Sequence, residues 1–439
     1  VAERNSLKVQ TNKRKEYVGV VPDSRMLRVV EDRVVGLYPT TVARSLNSHE
    51  LLERITTEIS NLKSTASPGY PYMLWGRTNE AFIAVVGMQW LVDLVYFRIV
   101  CLMLTPVGAI MACSASERER RGYADAVRVF VKNELHSSKK VQQGRYRLIM
   151  SISIVDQLVD RVFSTVQNSA EIDEWQDIPS KPGMGLNDAG LQDLDKEFSR
   201  MDFPVSSDIS GWDWSVTLWL LLLSASSRAR LGGLGVTELG TWNTIYHKRA
   251  HLVALSVFVF SDGVRWVQTV PGVMKSGLYT TSSDNSRMRV ALALSVVYLF
   301  MKHLDNAVGV CTMGDDCAES MRLLYDACGR DWERTKLEAV RLYRSLGFEI
   351  KDLFPGRPVE FCGYKFHGDN KYVPVRWYKI AANFFRHWPQ DHVFEERLEG
   401  LKYELRHSPE APRVLELVAA FRAQDRAQVG NSSQACTLV

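Results

Sequence analysis

Several large protein classes are excluded by what this 439-residue chain lacks. No apolar run of membrane-spanning length is unbroken: the longest, Ala81 to Leu104, is interrupted by Gln89, Asp93 and Arg98. Charges in lipid are costly, so a buried helix of a large core is expected there and no stable transmembrane segment is predicted. The seven cysteines are odd in number and form no C-x-x-C pair, which argues against a disulfide framework and a zinc ribbon and fits a reducing cytosol. The opening residues, VAERNSLKVQ, lack both the apolar core of a signal peptide and an initiator Met, as a cleavage product would. No internal repeat is visible. The net charge of +4 is too small to name a nucleic-acid partner from composition alone.

The composition that is present is that of a folded protein, 46% hydrophobic and 24% charged. This length exceeds one ordinary core, so two or three lobes are expected. Basic residues crowd one segment: Arg118, Arg120, Arg121, Arg128, Lys132, Lys139, Lys140, Arg145 and Arg147 have few acids among them. That segment is a candidate phosphate-binding surface.

Along the chain, the β-branched runs Tyr17 to Val21 and Leu27 to Val35 read as strands or extended arms beside the basic cluster Lys13 to Lys15. Leu51, Leu52, Ile55 and Ile59 recur at helical spacing from Ser48 to Leu62 and stop before SPGYP. Ile152 to Val166 reads as a helix, followed by a loop from Pro179 to Gly185. The strand-like VSSDIS precedes an apolar helix, Val216 to Ser224, and Val253 to Val270 reads as a hairpin turning at Asp262-Gly263. A long helix is expected from Ser282 to His303, then strand, tight turn and strand around Gly314-Asp315-Asp316. Helical spacing returns from Asp331 to Leu346, short strands follow at Phe348 to Ile350 and Val359 to Phe366, and the remainder is mostly helical, with a polar, disordered tail expected from Gln424. Strands and helices alternate without regular βαβ spacing, which favours an α+β fold.

Three acids stand at the ends of expected strands: Asp208 in SSDISGWDWS, and Asp315 and Asp316 in TMGDDCAE. Carboxylates gathered in this way are costly unless a cation neutralises them, and Mg²⁺ suits them because it takes a few carboxylate oxygens and keeps sites for water and phosphate. Two such ions about 3.5–4 Å apart stabilise both the attacking and the leaving oxygen of a phosphoryl displacement. Either motif alone is common. Between them lies KSGLYTTSSDNS, where Ser276, Gly277, Thr281 and Asn285 give the spacing S-G-x3-T-x3-N. Its small residues would let a backbone approach a nucleic acid, and the four-residue step puts Thr281 and Asn285 on one helix face.

These three segments resemble motifs A, B and C of the RNA-dependent RNA polymerases of positive-strand RNA viruses, in the expected order and spacing. VFVKNELHSSKKVQQGRYRLI resembles motif F, TASPGYPY motif G, GFEIKD motif D and EFCGYKF motif E. The string PGVMKSGLYTTSSDNSRMRV is especially similar to sobemovirus and polerovirus polymerases. The resemblance runs from Ser67 to Phe366. It implies a right-hand architecture: fingers from residues 1–200 and an insertion at 225–270, a palm of antiparallel sheet and helices from 201–224 and 271–369, and a small thumb with a tail at 370–439.

The resemblance also implies roles. Asp208 and Asp315 would be metal ligands for Mg²⁺ or Mn²⁺, with Asp316 a weaker ligand or electrostatic partner. Asp213 and Asn285 would form a hydrogen-bonded pair reading the 2′-hydroxyl of the incoming nucleotide, supported by Ser276 and Thr281. Lys132, Arg145 and Arg147 would shield the triphosphate, with Glu134 holding one of them. Lys139, Lys140, Ser67, Gly69, Gly277 and Lys365 would contact template or nascent RNA, and Lys351 would be the proton donor to pyrophosphate. Relatives imply a precursor polyprotein, other viral replication proteins, a protein primer and membrane-associated replication complexes in the host cytoplasm.

Other readings stand beside these. Tyr70 and Tyr72 fit base stacking or buried packing equally, whereas Trp212 and Trp214 read as core. His247 and His251 share a helix spacing without a third zinc ligand nearby, and Gly183-x-Gly185 lacks the context of a dinucleotide site. A reverse transcriptase shares the paired acids but usually sets a bulky residue against the 2′-hydroxyl, where Asp213 and Asn285 stand here. A noncatalytic RNA-binding scaffold is the second rival, and the intact acids argue against it.

Overall fold

The chain opens with two helices, α1 (Ala2–Lys15) and α2 (Ser24–Val35), the second standing where the run Leu27 to Val35 predicts a strand. In α2, Met26, Val30 and Val34 recur every fourth residue and are buried, and Asp23 caps the helix by accepting from the Met26 N–H. The four-residue stripe outweighs the strand propensity of the valines. The computed structural model describes residues 1–15, 19–41, 46–232, 242–304, 309–388 and 391–435. Parts of the expected Tyr17 to Val21 run, of the 225–270 insertion and of the run before Val310 therefore lie outside the described residues.

Helix α3 (Ser48–Ser60) starts at a capping box in which Asn47 and Glu50 satisfy each other's backbone N–H. The expected single helix from Ala81 to Leu104 is two, α4 (Asn79–Val86) and α5 (Met88–Leu104), bent by 97°. Gly87 stands between them at φ +86°, a conformation that glycine adopts at little cost. No single described helix is long and apolar enough to cross a membrane, although this bent pair is by length and composition. Arg98, one of the interruptions, is buried against Asp125 and Asp156 at 3.1 and 2.9 Å.

Then follow α6 (Val107–Ala112), α7 (Ala115–Arg120), β1 (Val127–Val131), α8 (Ser138–Gln142), β2 (Leu148–Ser151), α9 (Ile154–Asp173) and α10 (Asp188–Arg200). The central stretch holds β3 (Pro204–Ile209), α11 (Trp212–Ser215), α12 (Leu218–Leu231), α13 (Trp242–Ala254), β4 (Val257–Phe260), β5 (Arg265–Val267), α14 (Thr281–Met301), β6 (Val310–Met313) and β7 (Asp316–Ser320). The last part comprises α15 (Arg322–Ala327), α16 (Trp332–Ser345), β8 (Ile350–Pro355), β9 (Val359–Phe361), β10 (Tyr364–Gly368), β11 (Lys371–Pro374), α17 (Trp377–Arg386), α18 (Phe394–Leu405) and α19 (Ala411–Ala435). The tail expected from Gln424 is helical as far as Ala435.

Two compact units result. The first, residues 1–186 and 201–355, contains two sheets. One has the order β2-β1-β4-β5, antiparallel except where β1 meets β4; the other, β6-β7-β3-β8, is antiparallel throughout. Helix α14 runs through this core with most of its side chains buried, Arg287 and Arg289 included. The second unit joins residues 187–200 to 356–439. There α10 lies on the sheet β11-β10-β9, with Phe198 against Phe361 and Phe366 at ring distances of 5.4 and 5.0 Å. Its helices gather around Phe384, Phe394, Leu401, Leu405, Val414 and Val418. The mixture of helices with mainly antiparallel sheet is the α+β class expected.

Candidate active site

Strand register brings the acids together. β3 pairs with β7 up to Ser207 opposite Cys317, and with β8 at Asp208 opposite Asp352. β6 and β7 close as a hairpin in which Met313 faces Asp316, leaving Gly314 and Asp315 as the turn. Gly314 has φ +64°, and its N–H donates to Ser286 Oγ of α14 at 2.8 Å. Asp208 therefore stands next to last in β3, one residue past the pairing with the strand that begins at Asp316.

Asp315 keeps solvent access at the turn, yet the packed protein around it and the Asp208 carboxylate both lift its carboxyl above the ordinary range. Lys351, on β8, meets Asp208 at 2.7 Å and Asp352 at 2.8 Å, and these two hydrogen bonds hold its ammonium above the usual lysine range. No group of three or more His, Cys, Asp or Glu stands together as a metal cage among the described residues. The arrangement is a pair of mutually repelling carboxylates, not a closed ligand set.

The expected Asp213–Asn285 pair is formed, Asn285 Nδ2 donating to Asp213 Oδ1 at 3.2 Å. Helix α11 follows Gly211 at φ +64°, and its Asp213 carbonyl accepts from the Met274 N–H at 2.8 Å, which ties it to the loop before α14. Burial, then Asp315, push the Asp213 carboxyl up to about 6, against the Asn285 hydrogen bond and the Arg147 charge. Trp212 is buried as core, stacks on Phe348, and donates its indole N–H to Asn285 Oδ1 at 2.9 Å. Ser276 and Thr281 spend their hydrogen bonds on backbone: Ser276 Oγ accepts from the Met150 N–H, and the Thr281 hydroxyl donates to the Lys275 and Leu278 carbonyls. Gly277 is required by the protein itself, since a Cβ there would stand 2.2 Å from the Met150 carbonyl oxygen.

The basic segment becomes the hairpin β1–β2 and its loop. Glu134 lies 3.0 Å from Lys132 and 3.6 Å from Arg147. Partial burial works against its charge, but the Lys132 hydrogen bond and Arg147 hold the carboxyl below the ordinary range. Arg147 also acts electrostatically on both Asp213 and Asp315, so this cation belongs to the field of the acids. Lys139 and Lys140 are exposed on α8, and the Arg145 N–H donates to the Lys140 carbonyl at 2.9 Å. Ser67 is exposed, whereas Gly69 is buried at φ +69°, with the Ile152 carbonyl 2.5 Å from where a Cβ would sit. Tyr72 packs inside against Phe82. Lys365 is exposed on β10 in the second unit.

Sequence reasoning missed the supports of this site. Ser6, fully buried, donates to the Tyr146 carbonyl at 2.7 Å, tying α1 to the loop between Arg145 and Arg147. Arg289 binds Ser207 and Glu319, and Tyr343 donates to Glu319, in a buried network under the end of β3. Asp284 is held below its usual range: burial opposes this, and Arg228 and Arg287 overcome it. Lys275, buried next to Ser276, donates to Gln268 and to the Gly272 and Val273 carbonyls. The strings SSDNS and VMKSG held the only signal, polar residues inside apolar runs.

A family model of viral RNA-directed RNA polymerases matches residues 83–195 and 246–372. The RNA-directed RNA polymerase of Mushroom bacilliform virus is 36% identical over 84% of this chain and 87% of that protein. The replicase polyprotein P2AB of Southern cowpea mosaic virus is 33% identical over 86% of this chain, and protein P1-P2 of Potato leafroll virus 31% identical over 93%. The chain spans just 37% and 39% of those two longer proteins. With more than half its length matched by the family model, and a relative of similar size matched along most of both chains, this protein belongs to the viral RNA-directed RNA polymerases.

Proposed function

We propose that this polymerase extends an RNA chain on an RNA template by two-metal nucleotidyl transfer, with Asp208 and Asp315 as the principal ligands and Asp316 as a weaker ligand or electrostatic partner. The observation that carries the reading is the raised carboxyl of Asp315 beside Asp208 at the end of an antiparallel sheet. Such a pair gains from a divalent cation, and an all-oxygen donor set suits Mg²⁺, with Mn²⁺ as a substitute. When bound, two cations would activate the RNA 3′-hydroxyl and neutralise charge on the departing pyrophosphate.

The remaining roles belong to the chain's own residues. Asp213 and Asn285 read the ribose 2′-hydroxyl, and Ser276 and Thr281 keep their loop in place. Lys132, Arg145 and Arg147 gather the triphosphate, and Glu134 orients two of these cations. Lys351 holds a proton at Nζ beside the acids and hands it to pyrophosphate. Ser67, Gly69, Gly277, Lys139, Lys140 and Lys365 lie along the template and nascent strand, the glycines by permitting close backbone packing.

In a right-hand division, residues 1–200 and 225–270 form fingers, 201–224 and 271–369 the palm, and 370–439 the thumb. The partners are template and nascent RNA and nucleoside triphosphates, together with other viral replication proteins and a protein primer. The replicase polyprotein names of the relatives support a setting with other viral proteins. The location that goes with this reading is a membrane-associated replication complex in the host cytoplasm.

The test is incorporation of labelled ribonucleotides and deoxynucleotides on a primed RNA template with Mg²⁺ or Mn²⁺, comparing the full chain with Asp315→Ala. Ribonucleotide-selective extension lost on substitution is the expected result. Extension that survives Asp315→Ala would remove the metal-ligand reading.

A further inference from the structure

We propose that Trp212 is a positioning residue for ribose selection: its indole N–H fixes the Asn285 amide so that the Asp213–Asn285 pair offers one donor and one acceptor to the 2′-hydroxyl. The inference rests on the ribose-reading role given to that pair and adds the group that orients it.

An indole N–H can only donate, and in a buried setting it needs an acceptor. Trp212 is 2% exposed, and its ring stacks on Phe348 at 5.8 Å and 29°, so the N–H has a fixed direction. That direction ends on Asn285 Oδ1 at 2.9 Å. An asparagine amide fills the same space in two ways, with oxygen and nitrogen exchanged. Here the exchange would set an NH₂ against the indole N–H and an amide oxygen against the Asp213 carboxylate, losing two hydrogen bonds together. In the orientation held, Nδ2 gives one hydrogen to Asp213 Oδ1 at 3.2 Å. Its second hydrogen is a donor and the second oxygen of Asp213 an acceptor, the two functions offered to the 2′-hydroxyl. A hydroxyl, which donates and accepts, satisfies both; a 2′-methylene satisfies neither and leaves polar groups unpaired.

A purely structural Trp212 would fill the core through its stack on Phe348 and do nothing more. The two roles separate in the ratio of kcat/KM for a ribonucleotide to that for the matching deoxynucleotide, measured with the full chain on a primed RNA template. Trp212→Phe keeps an aromatic stack without the N–H, and is expected to lower the ribonucleotide value by about tenfold with little change for the deoxynucleotide, the size of one lost hydrogen bond in a low-dielectric setting. Trp212→His retains a ring N–H and is expected to hold the ratio within about threefold of wild type.

An unchanged ratio in Trp212→Phe, while Asp213→Asn abolishes selectivity, would overturn the positioning role and leave the pair's own role standing. A ratio in Trp212→His as low as that of Asp213→Asn would do the same, and this variant serves if the Phe protein does not fold. Intact selectivity in Asp213→Asn would instead remove the ribose-reading role, and this inference with it.

Discussion

Ser286 Oγ accepts the Gly314 N–H at 2.8 Å and donates to the Ser282 carbonyl at 2.8 Å, so the first turns of α14 grip the hairpin that carries Asp315. Ser286→Ala leaves the Gly314 donor without its partner and frees the turn. Nucleotide incorporation is expected to fall about tenfold, while thermal stability drops by only about 1 kcal/mol, a single hydrogen bond. Steady-state kinetics beside a melting curve check this; a loss of stability matching the loss of activity would point to global unfolding instead.

Asp213 ties ribose selection to pH. Its carboxyl is pushed up to about 6 from an ordinary 3.8, so it must lose its proton to accept from a hydroxyl. Selectivity for ribonucleotides is therefore expected to decline as pH falls through about 6, and Asp213→Asn should flatten that profile. The stability effect has the opposite direction. A raised carboxyl favours the fold when protonated, a contribution complete below 3.8 and lost as pH rises through about 6. Asp213→Asn should thus melt higher than the wild type at pH 8, by roughly 1–3 °C, with the gap closing at pH 4.

Lys351 occupies an oxygen of Asp208 at 2.7 Å, so cation loading there has a competitor inside the chain. Lys351→Ala is expected to lower the maximal rate and also the Mg²⁺ concentration giving half of it. A Mg²⁺ titration of incorporation reads both numbers, and an unchanged half-maximal concentration would show that the contact is not kept during turnover.

Glu134 holds Lys132 and Arg147 at once. Glu134→Ala should raise the KM for nucleoside triphosphate by roughly threefold to tenfold, with a smaller change in kcat, since the pairs are partly exposed and exposed pairs are individually weak. Equal effects on kcat and KM would place Glu134 elsewhere in the cycle.

The buried network below β3 makes a prediction about stability alone. Arg289→Ala leaves Glu319 buried without its cation, and is expected to cost about 3–5 kcal/mol. Adding Glu319→Gln should recover a large part of that loss. Chemical denaturation of the two variants gives the comparison, and additive losses would argue that the two residues are not coupled.

What could be read in the sequence was what is local. Asp213 and Asn285 stand in short motifs with fixed spacing, and the strand–turn–strand around Gly314 follows from a short apolar run ended by a glycine. The helices that begin at Ser48 and after Asp331 were legible for the same reason. Arg289 with Glu319, Ser286 with Gly314, and Ser6 with Tyr146 were not: their partners lie 28 to 140 residues apart. Gly277 was legible as a position of close backbone approach, but the Met150 carbonyl that it packs against was not, nor was the Ile152 carbonyl beside Gly69. α2 was misread because Val29, Val30, Val34 and Val35 favour strands locally, while burial of every fourth side chain decided the outcome.

The joining of α10 to the last part of the chain has a consequence for synthesis. Phe198 is made long before Phe361 and Phe366, the rings that cover it, and Asp195 waits as long for the Gly368 and Asn370 N–H groups it binds. During translation this helix emerges with an apolar face that nothing local can cover, and domains fold as units once their residues are complete. A ribosome that stops between Pro355 and Phe361 would therefore release a chain whose first unit is fully encoded but which carries an uncovered phenylalanine in its middle, a mark by which quality control could tell unfinished polymerase from finished.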